Sequence, residues 1–370
     1  MKLTILLKSI TKKFSSITMV LLAHGEQLRK RGHTVNVVVL GDRGYTLRKD
    51  ECSGSTAFSY NARKFYCLLR GGGIRLKAPW YDCRPQMPII EVPDASECYI
   101  PDADVIIAGY VWMLDALVEY KNRKGKKFYL VQGFELQKPR NRERYRYSIR
   151  KIVVSTSLKE QIYETMSQEE IGPIAVVTNG VDLDIFSSEG RCYQNRRPVR
   201  VGMVYYYKAP NELKGFMDGV RAFEMAKKHF PNLELVLFGT CRGKDVPDYA
   251  EFHTSPSRAK IAEIYRSCDI FLYPSREDAF GLPPLEAMAC GCAVVTTEVG
   301  GVKDYAVRKE TALISVPGKP EELARNLEYL LKHPEKRQEM AKKAATAARN
   351  YSWEKVSERM ERILFSEQSN

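Results

Sequence analysis

The chain has 370 residues, 44% hydrophobic and 28% charged, with a formal charge of +13. This length exceeds one ordinary core and suits two domains, and the near-average composition without low-complexity tracts excludes disordered and fibrous classes. The excess of cations calls for a polyanionic partner or surface, and charge alone does not choose among nucleotide phosphates, acidic lipid headgroups and nucleic acid.

The opening run Met1-Lys-Leu-Thr-Ile-Leu-Leu7 is interrupted by Lys8, Lys12 and Lys13, too early for the apolar region of a signal peptide, and reads as a buried first strand. No stretch of about 18 apolar residues follows, so a transmembrane helix is not expected and any membrane contact would be peripheral. A helical stretch from about Ile17 to Arg31, the turn Gly32-His33 and the run Thr34–Leu40 give strand, helix, turn and strand, the pattern of a parallel sheet with helices on its faces. Val105-Ile-Ile107, Phe128–Val131 and Ile152-Val-Val154 continue the alternation. Residues 1–190 are therefore expected to form one α/β domain.

Within it, Lys138, Arg140, Arg142, Arg144, Arg146, Arg150 and Lys151 cluster around Glu143, the single acid among them. A solvated face is the first expectation for this cluster and a binding surface the second. Gln132-Gly-Phe-Glu135, after a strand, either lines a cleft or packs at the strand end. Nine cysteines, at 52, 67, 83, 98, 192, 241, 268, 290 and 292, contain no CxxC pair and no zinc spacing. A reduced, cytoplasmic protein fits that usage, with pairing of some thiols left open.

After Asn179-Gly180 the chain turns polar around Ser187–Pro198, as a linker would, and then the pattern restarts. Strand-like runs at Val199–Val204, Leu233–Phe238, Ile270–Tyr273 and Ala293–Thr296 alternate with helical stretches, predicting a second doubly wound domain over residues 191–350. A charged helical stretch spans Pro320–Ala347, and Tyr351-Ser-Trp353 introduces a last amphipathic helix in residues 351–370.

The most informative segment runs from Tyr273-Pro-Ser-Arg-Glu-Asp-Ala-Phe-Gly-Leu-Pro-Pro-Leu-Glu286 to Gly300-Gly301. A strand leading through Phe280-Gly281-Leu282 into a helix near Pro283 is expected to present free N–H groups and a positive helix end to an anion. Glu286, read as a first-turn residue, could accept hydrogen bonds from a ribose diol beside that phosphate. Asp278 lies eight residues earlier in the loop. Gly300-Gly301 either permits close backbone approach or is a tight turn.

This segment resembles family 4 of the GT-B glycosyltransferases, whose pattern is an acid, seven residues and a Glu within a frame like FGLPxLEAMACG. The likeness extends to Gly202, Lys214-Gly215, Leu235–Gly239, Thr296–Gly301 and Tyr351–Glu354, and so over most of residues 175–365. It implies an α/β GT-B fold, two Rossmann-like doubly wound domains facing a central cleft: residues 1–190 for the acceptor, 191–350 for the nucleotide sugar, and a C-terminal helix crossing back to the N-domain. The implied reaction is retaining transfer of a sugar from a nucleotide diphosphate sugar to a hydroxyl of a glycan or lipid-linked acceptor.

By the same resemblance Glu286 contacts ribose, Asp278 the donor sugar, and Lys214 with the backbone at Phe280, Gly281 and Leu282 the diphosphate. Asp278 is one methylene shorter than the family's usual Glu, and Glu277 beside it is a second candidate. Where the family places an Arg after the first C-domain glycine this chain has Met203, so Lys208 in the loop Tyr205-Tyr-Tyr-Lys208 could supply that cation, unless the tyrosines only pack. The nucleobase would rest near Phe252–Pro256. On the acceptor side Phe14-Ser-Ser16 and Ala108-Gly-Tyr110 depart from the usual glycine pair and histidine, so acceptor identity does not carry over.

Asp102-Ala-Asp104 and Asp182-Leu-Asp184 read as capping and turn acids, so neither a metal nor a cofactor is expected. Lys214 and the helix end would stabilise the leaving diphosphate instead. Expected partners are the donor, the acceptor and, through the basic N-domain, the inner face of a membrane, with no nucleic acid. The competing readings are a nucleotide-sugar epimerase on the same fold and a non-enzymatic module binding an anionic surface.

Overall fold

The structure, a computed structural model, describes residues 1–10, 15–40, 74–76, 87–191, 193, 198–207 and 211–365. It divides into two compact units. One comprises described residues of 1–154 and 159–177 with the C-terminal stretch from Val356, and the other Ser155–Leu158 with Thr178–Lys355.

In the first unit the described strands are β1 (Lys2–Leu7), β2 (Thr34–Val39), β3 (Ile74–Leu76), β4 (Ile89–Glu91), β5 (Val105–Ala108), β6 (Lys126–Val131), β7 (Arg150–Val153) and β8 (Ile174–Val176). They form one sheet in the order β3-β4-β2-β1-β5-β6-β7-β8, parallel except for β3 against β4. The central runs of Leu, Ile and Val are buried on both faces, which continuous apolar strands require. The helix Ser16–Lys30, capped by Ser15, covers this sheet with Met19, Leu22 and Leu28. The C-terminal stretch belongs to this unit through His24 Nδ1 and Ser357 Oγ at 2.9 Å and through Arg31 and His33 on Glu361.

Several members of the basic cluster have partners within this unit. Arg144 and Arg140 bind Asp115, Arg146 binds Glu170, and Arg142 donates to the Leu136 carbonyl. Lys151 is buried and donates to the carbonyls of Tyr147 and Ile171, and burial pushes its ammonium pKa down to about 8. The face is nevertheless solvated, with Lys138, Arg140, Arg142, Arg146 and Arg150 exposed and Arg144 and Lys151 drawn inward. Glu135 closes a strand end: its carboxylate takes the Tyr129 hydroxyl, and burial raises its pKa.

The second unit carries a wholly parallel sheet, β11-β10-β9-β12-β13-β14, from β9 (Arg200–Tyr205), β10 (Glu234–Gly239), β11 (Glu251–Thr254), β12 (Ile270–Tyr273), β13 (Ala293–Thr297) and β14 (Ala312–Ser315). Its strand order reverses at β9/β12, so the C-terminal ends of these strands frame the crevice where doubly wound sheets bind ligands. Val201, Met203, Leu235, Leu237, Ile270, Leu272, Val295 and Phe223 form the core beneath it. Pro334 breaks the predicted charged helix into Pro320–Lys332 and Pro334–Ala348. Among the described residues no helix is long and apolar enough to cross a membrane, and no group of three or more His, Cys, Asp or Glu could hold a metal.

Candidate donor site

The site grows from the end of β12. Beyond Tyr273 the main chain is sewn to the short helix Asn211–Lys214: the N–H groups of Arg276 and Glu277 donate to the Leu213 carbonyl at 2.8 and 3.1 Å. Ser275 Oγ reaches the Glu277 carbonyl at 2.9 Å, and Thr297 Oγ1 donates to the Ser275 carbonyl. Arg276 forks onto Asp218 with Nε to Oδ2 at 2.7 Å and Nη2 to Oδ1 at 2.9 Å. Asp218 is 3% exposed and sits in the first turn of the helix Phe216–His229, where a negative charge is favoured. Gly215, the residue before that helix, is left-handed at φ +59°, and a Cβ there would lie 2.0 Å from the Pro274 carbonyl oxygen. Only glycine permits this approach. Asp218→Ala is expected to lower stability by about 1–3 kcal/mol, since a bidentate charge-assisted pair is lost. Urea denaturation checks it, and an unchanged midpoint contradicts it.

Asp278 organises the next turn. Its Oδ1 accepts the N–H groups of Phe280 at 3.2 Å and Gly281 at 3.1 Å, and its Oδ2 accepts Lys214 Nζ at 2.8 Å and the Tyr273 hydroxyl at 2.5 Å. Burial opposes its ionisation, but the Lys214 charge and these hydrogen bonds outweigh it and hold the carboxyl below the usual range. Lys214 also donates to the Glu277 carbonyl at 3.3 Å and lies 5.6 Å over the Tyr206 ring. Tyr206 is hydrogen-bonded to Tyr273, and burial together with the Asp278 charge raises the pKa of both phenols. The Glu277 carboxylate is exposed.

Gly281 then caps the helix Leu282–Ala289, with its carbonyl taken by the buried Tyr305 hydroxyl at 2.7 Å. Two expectations are corrected here. The N–H groups of Phe280 and Gly281 are not free for an anion, because Asp278 takes both, and Pro283 and Pro284 have none. Leu282 is left as the early N–H donor of this helix outside the intrahelical ladder. The helix also begins one residue earlier than its prolines suggested, so Glu286 is its fifth residue and no acid lies in the first turn.

Glu286 is partly buried and accepts the Tyr265 hydroxyl at 3.3 Å. Burial raises its pKa to about 7, against the opposing pull of Arg258. Arg258 is itself paired with Asp182 Oδ2 at 3.2 Å, which ties the expected turn acid to this site. At the nearby strand end Ser255 adopts φ +45° and is fastened to Gly239 and Thr240. Met203 lies inside β9 with no exposure, so it cannot replace the family's arginine, and Lys208 lies outside the described residues.

Sequence reasoning gave Lys214 and Asp278 separate roles, which the structure joins in direct contact, and placed Glu286 in the first helical turn, where it is the fifth helical residue. It missed Tyr273, Tyr206, Tyr265 and Arg258. The only sequence signal for them was the tyrosine run at 205–207, because a buried strand tyrosine looks like core until its hydroxyl finds a partner.

Two parallel sheets with flanking helices, one per unit, define the class: a two-domain α/β protein of the GT-B fold. The same arrangement is found in Anabaena HepE in complex with UDP, at a TM-score of 0.73 and 16% identity over 98% of this chain and 99% of that one. Sucrose-phosphate synthase from Thermosynechococcus elongatus matches with a TM-score of 0.69 and 14% identity over 98% of each chain.

Residues 194–347 match the model of the family of glycosyl transferases group 1. Among curated proteins, the D-inositol 3-phosphate glycosyltransferase of Paenarthrobacter aurescens is 29% identical over 62% of this chain and 61% of its own length. That of Rhodococcus erythropolis is 32% identical over 33% and 28%. The chain spans about three fifths or less of the length of these relatives.

Proposed function

We propose that the protein is a glycosyltransferase that moves a sugar, with retained anomeric configuration, from a nucleoside diphosphate sugar to a hydroxyl of a glycan or lipid-linked acceptor, without a metal. The observation that carries this reading is the Lys214–Asp278–Tyr273 network at the end of β12, built beside Glu286 within the domain that matches the family.

Two of the three Lys214 protons are engaged by Asp278 and the Glu277 carbonyl, which fixes the ammonium and leaves one N–H for the diphosphate. A pre-oriented cation of this kind stabilises charge as it develops on the leaving group. The Leu282 N–H at the start of the helix is the main-chain donor left for the diphosphate, and the turn around Ser255 is the candidate rest for the base. Glu286 accepts the ribose hydroxyls in its ionised form. UDP is the first nucleotide to try, because HepE binds UDP and UDP-glucose.

The raised pKa of Glu286 makes this role testable by pH. Its folded value of about 7 lies above the unfolded one, so its contribution to stability is complete at acid pH and is lost as pH rises toward 7. Nucleotide binding runs the opposite way, since ribose hydroxyls favour the ionised carboxylate and affinity rises as the proton leaves. Titration calorimetry between pH 6 and 8, with UDP, GDP, dTDP and ADP, should show an affinity rise in the wild type beyond that of Glu286→Gln. Identical pH profiles in the two proteins would remove Glu286 from the ribose site.

A further inference from the structure

The Asp278 carboxylate is saturated from within its own domain. An ionised carboxylate offers about four lone-pair sites, and here Phe280 N–H, Gly281 N–H, Lys214 Nζ and the Tyr273 hydroxyl fill them. A sugar hydroxyl seeking Asp278 would displace one of these. Tyr273 is 2% exposed, so its hydroxyl would be left buried without its acceptor, and loss of Lys214 would strip the carboxylate of its cation.

Glu277 is built the opposite way. Its N–H donates to the Leu213 carbonyl at 3.1 Å, and its own carbonyl accepts Ser275 Oγ at 2.9 Å and Lys214 Nζ at 3.3 Å. The main chain is therefore fixed on both sides of a side chain one methylene longer than Asp278. The exposed carboxylate makes no hydrogen bond or ion pair with any described residue. A fixed backbone, its carbonyl held by the Lys214 ammonium, carrying an exposed and unengaged carboxylate has the form of a preorganised ligand group.

We infer that Glu277 supplies the carboxylate that reads the hydroxyls of the donor sugar, while Asp278 is a positioning residue that holds Lys214 and the main chain at 280–281. The inference rests on the donor-site reading above. It makes Glu277 the determinant of sugar choice and leaves nucleotide affinity to Lys214, Asp278 and Glu286.

The test compares Glu277→Ala and Asp278→Asn with the wild type, using the nucleoside diphosphate bound best among UDP, GDP, dTDP and ADP, and its glucose, galactose, mannose and N-acetylglucosamine conjugates. Glu277→Ala should keep the unliganded melting temperature and the affinity for the nucleoside diphosphate. It should lower kcat/KM for the preferred conjugate by about 10- to 100-fold, as loss of hydrogen bonds to a charged group does. Asp278→Asn should lower the melting temperature and weaken nucleoside diphosphate and conjugate by the same factor. The inference is overturned if Glu277→Ala leaves kcat/KM for the conjugate unchanged. It is equally overturned if Asp278→Asn weakens the conjugate alone. Absence of nucleoside diphosphate binding by the wild type would instead bring down the donor-site reading, before any variant is compared.

Discussion

Lys214→Ala is expected to reduce kcat/KM for the nucleotide-sugar donor by about two to three orders of magnitude, roughly 3–4 kcal/mol, as removal of one preorganised group facing a developing negative charge does. Two effects combine in this substitution. The leaving diphosphate loses its fixed cation, and Asp278 loses the charge that holds its carboxyl ionised against burial. The side chains are only 25% and 19% exposed, so solvent does not fully replace the pairing. Lys214→Arg keeps the charge but presents a planar fork in place of a compact ammonium, and should recover only part of the loss. Steady-state release of the nucleoside diphosphate measures both variants. A Lys214→Ala value within a few-fold of wild type would contradict the assignment.

The second large effect lies at Gly300. Its φ is +48°, and an added Cβ would lie 2.2 Å from the Asp278 carbonyl oxygen and within 3 Å of two more main-chain atoms of residues 278–279. These atoms belong to backbone pinned by the Asp278 carboxylate, so no flexible side chain can give way. Gly300→Ala should cost about 3–5 kcal/mol, left-handed strain adding to a main-chain collision. It should also abolish nucleotide binding, because relief of the collision moves the residues that Asp278 orders. Urea denaturation followed by calorimetry with the nucleotide checks both parts. A stability change below about 0.5 kcal/mol, the level of an ordinary surface substitution, would contradict the packing argument.

The sheets were legible wherever strands are continuous apolar runs. Ile270–Tyr273 is found as β12 over the same residues, and the runs read at Val199, Leu233 and Ala293 appear as β9, β10 and β13, with ends shifted by no more than one residue. Short or polar strands escaped: β11, Glu-Phe-His-Thr, is half-exposed at the sheet edge, and β8 and β14 have three and four residues. Each gains its strand character from a neighbour's register, which local pattern does not encode. Gly300-Gly301, open between turn and close approach, is close approach: Gly301 meets the Phe280 ring as Gly300 meets the Asp278 main chain.

The site divides along the same line. The spacing of Asp278 and Glu286 and the presence of Lys214 were readable because the loop and helix that carry them are contiguous or follow a known frame. The Tyr273 hydroxyl turns back onto the loop that follows its strand, and Tyr265 and Arg258 act on Glu286 from the separate helix Arg258–Ser267. The two prolines after Leu282 misled the helix start, since proline favours the first turn without marking which of its residues comes first.

The most direct measurement is the melting temperature of wild type and Glu286→Ala with UDP, GDP, dTDP and ADP at about 1 mM. A nucleotide present at 100 times its dissociation constant stabilises the folded state by about 2.7 kcal/mol. The donor-site account predicts that one nucleotide raises the wild-type melting temperature and that Glu286→Ala loses the rise. No rise with any of the four, or an equal rise in both proteins, would contradict it.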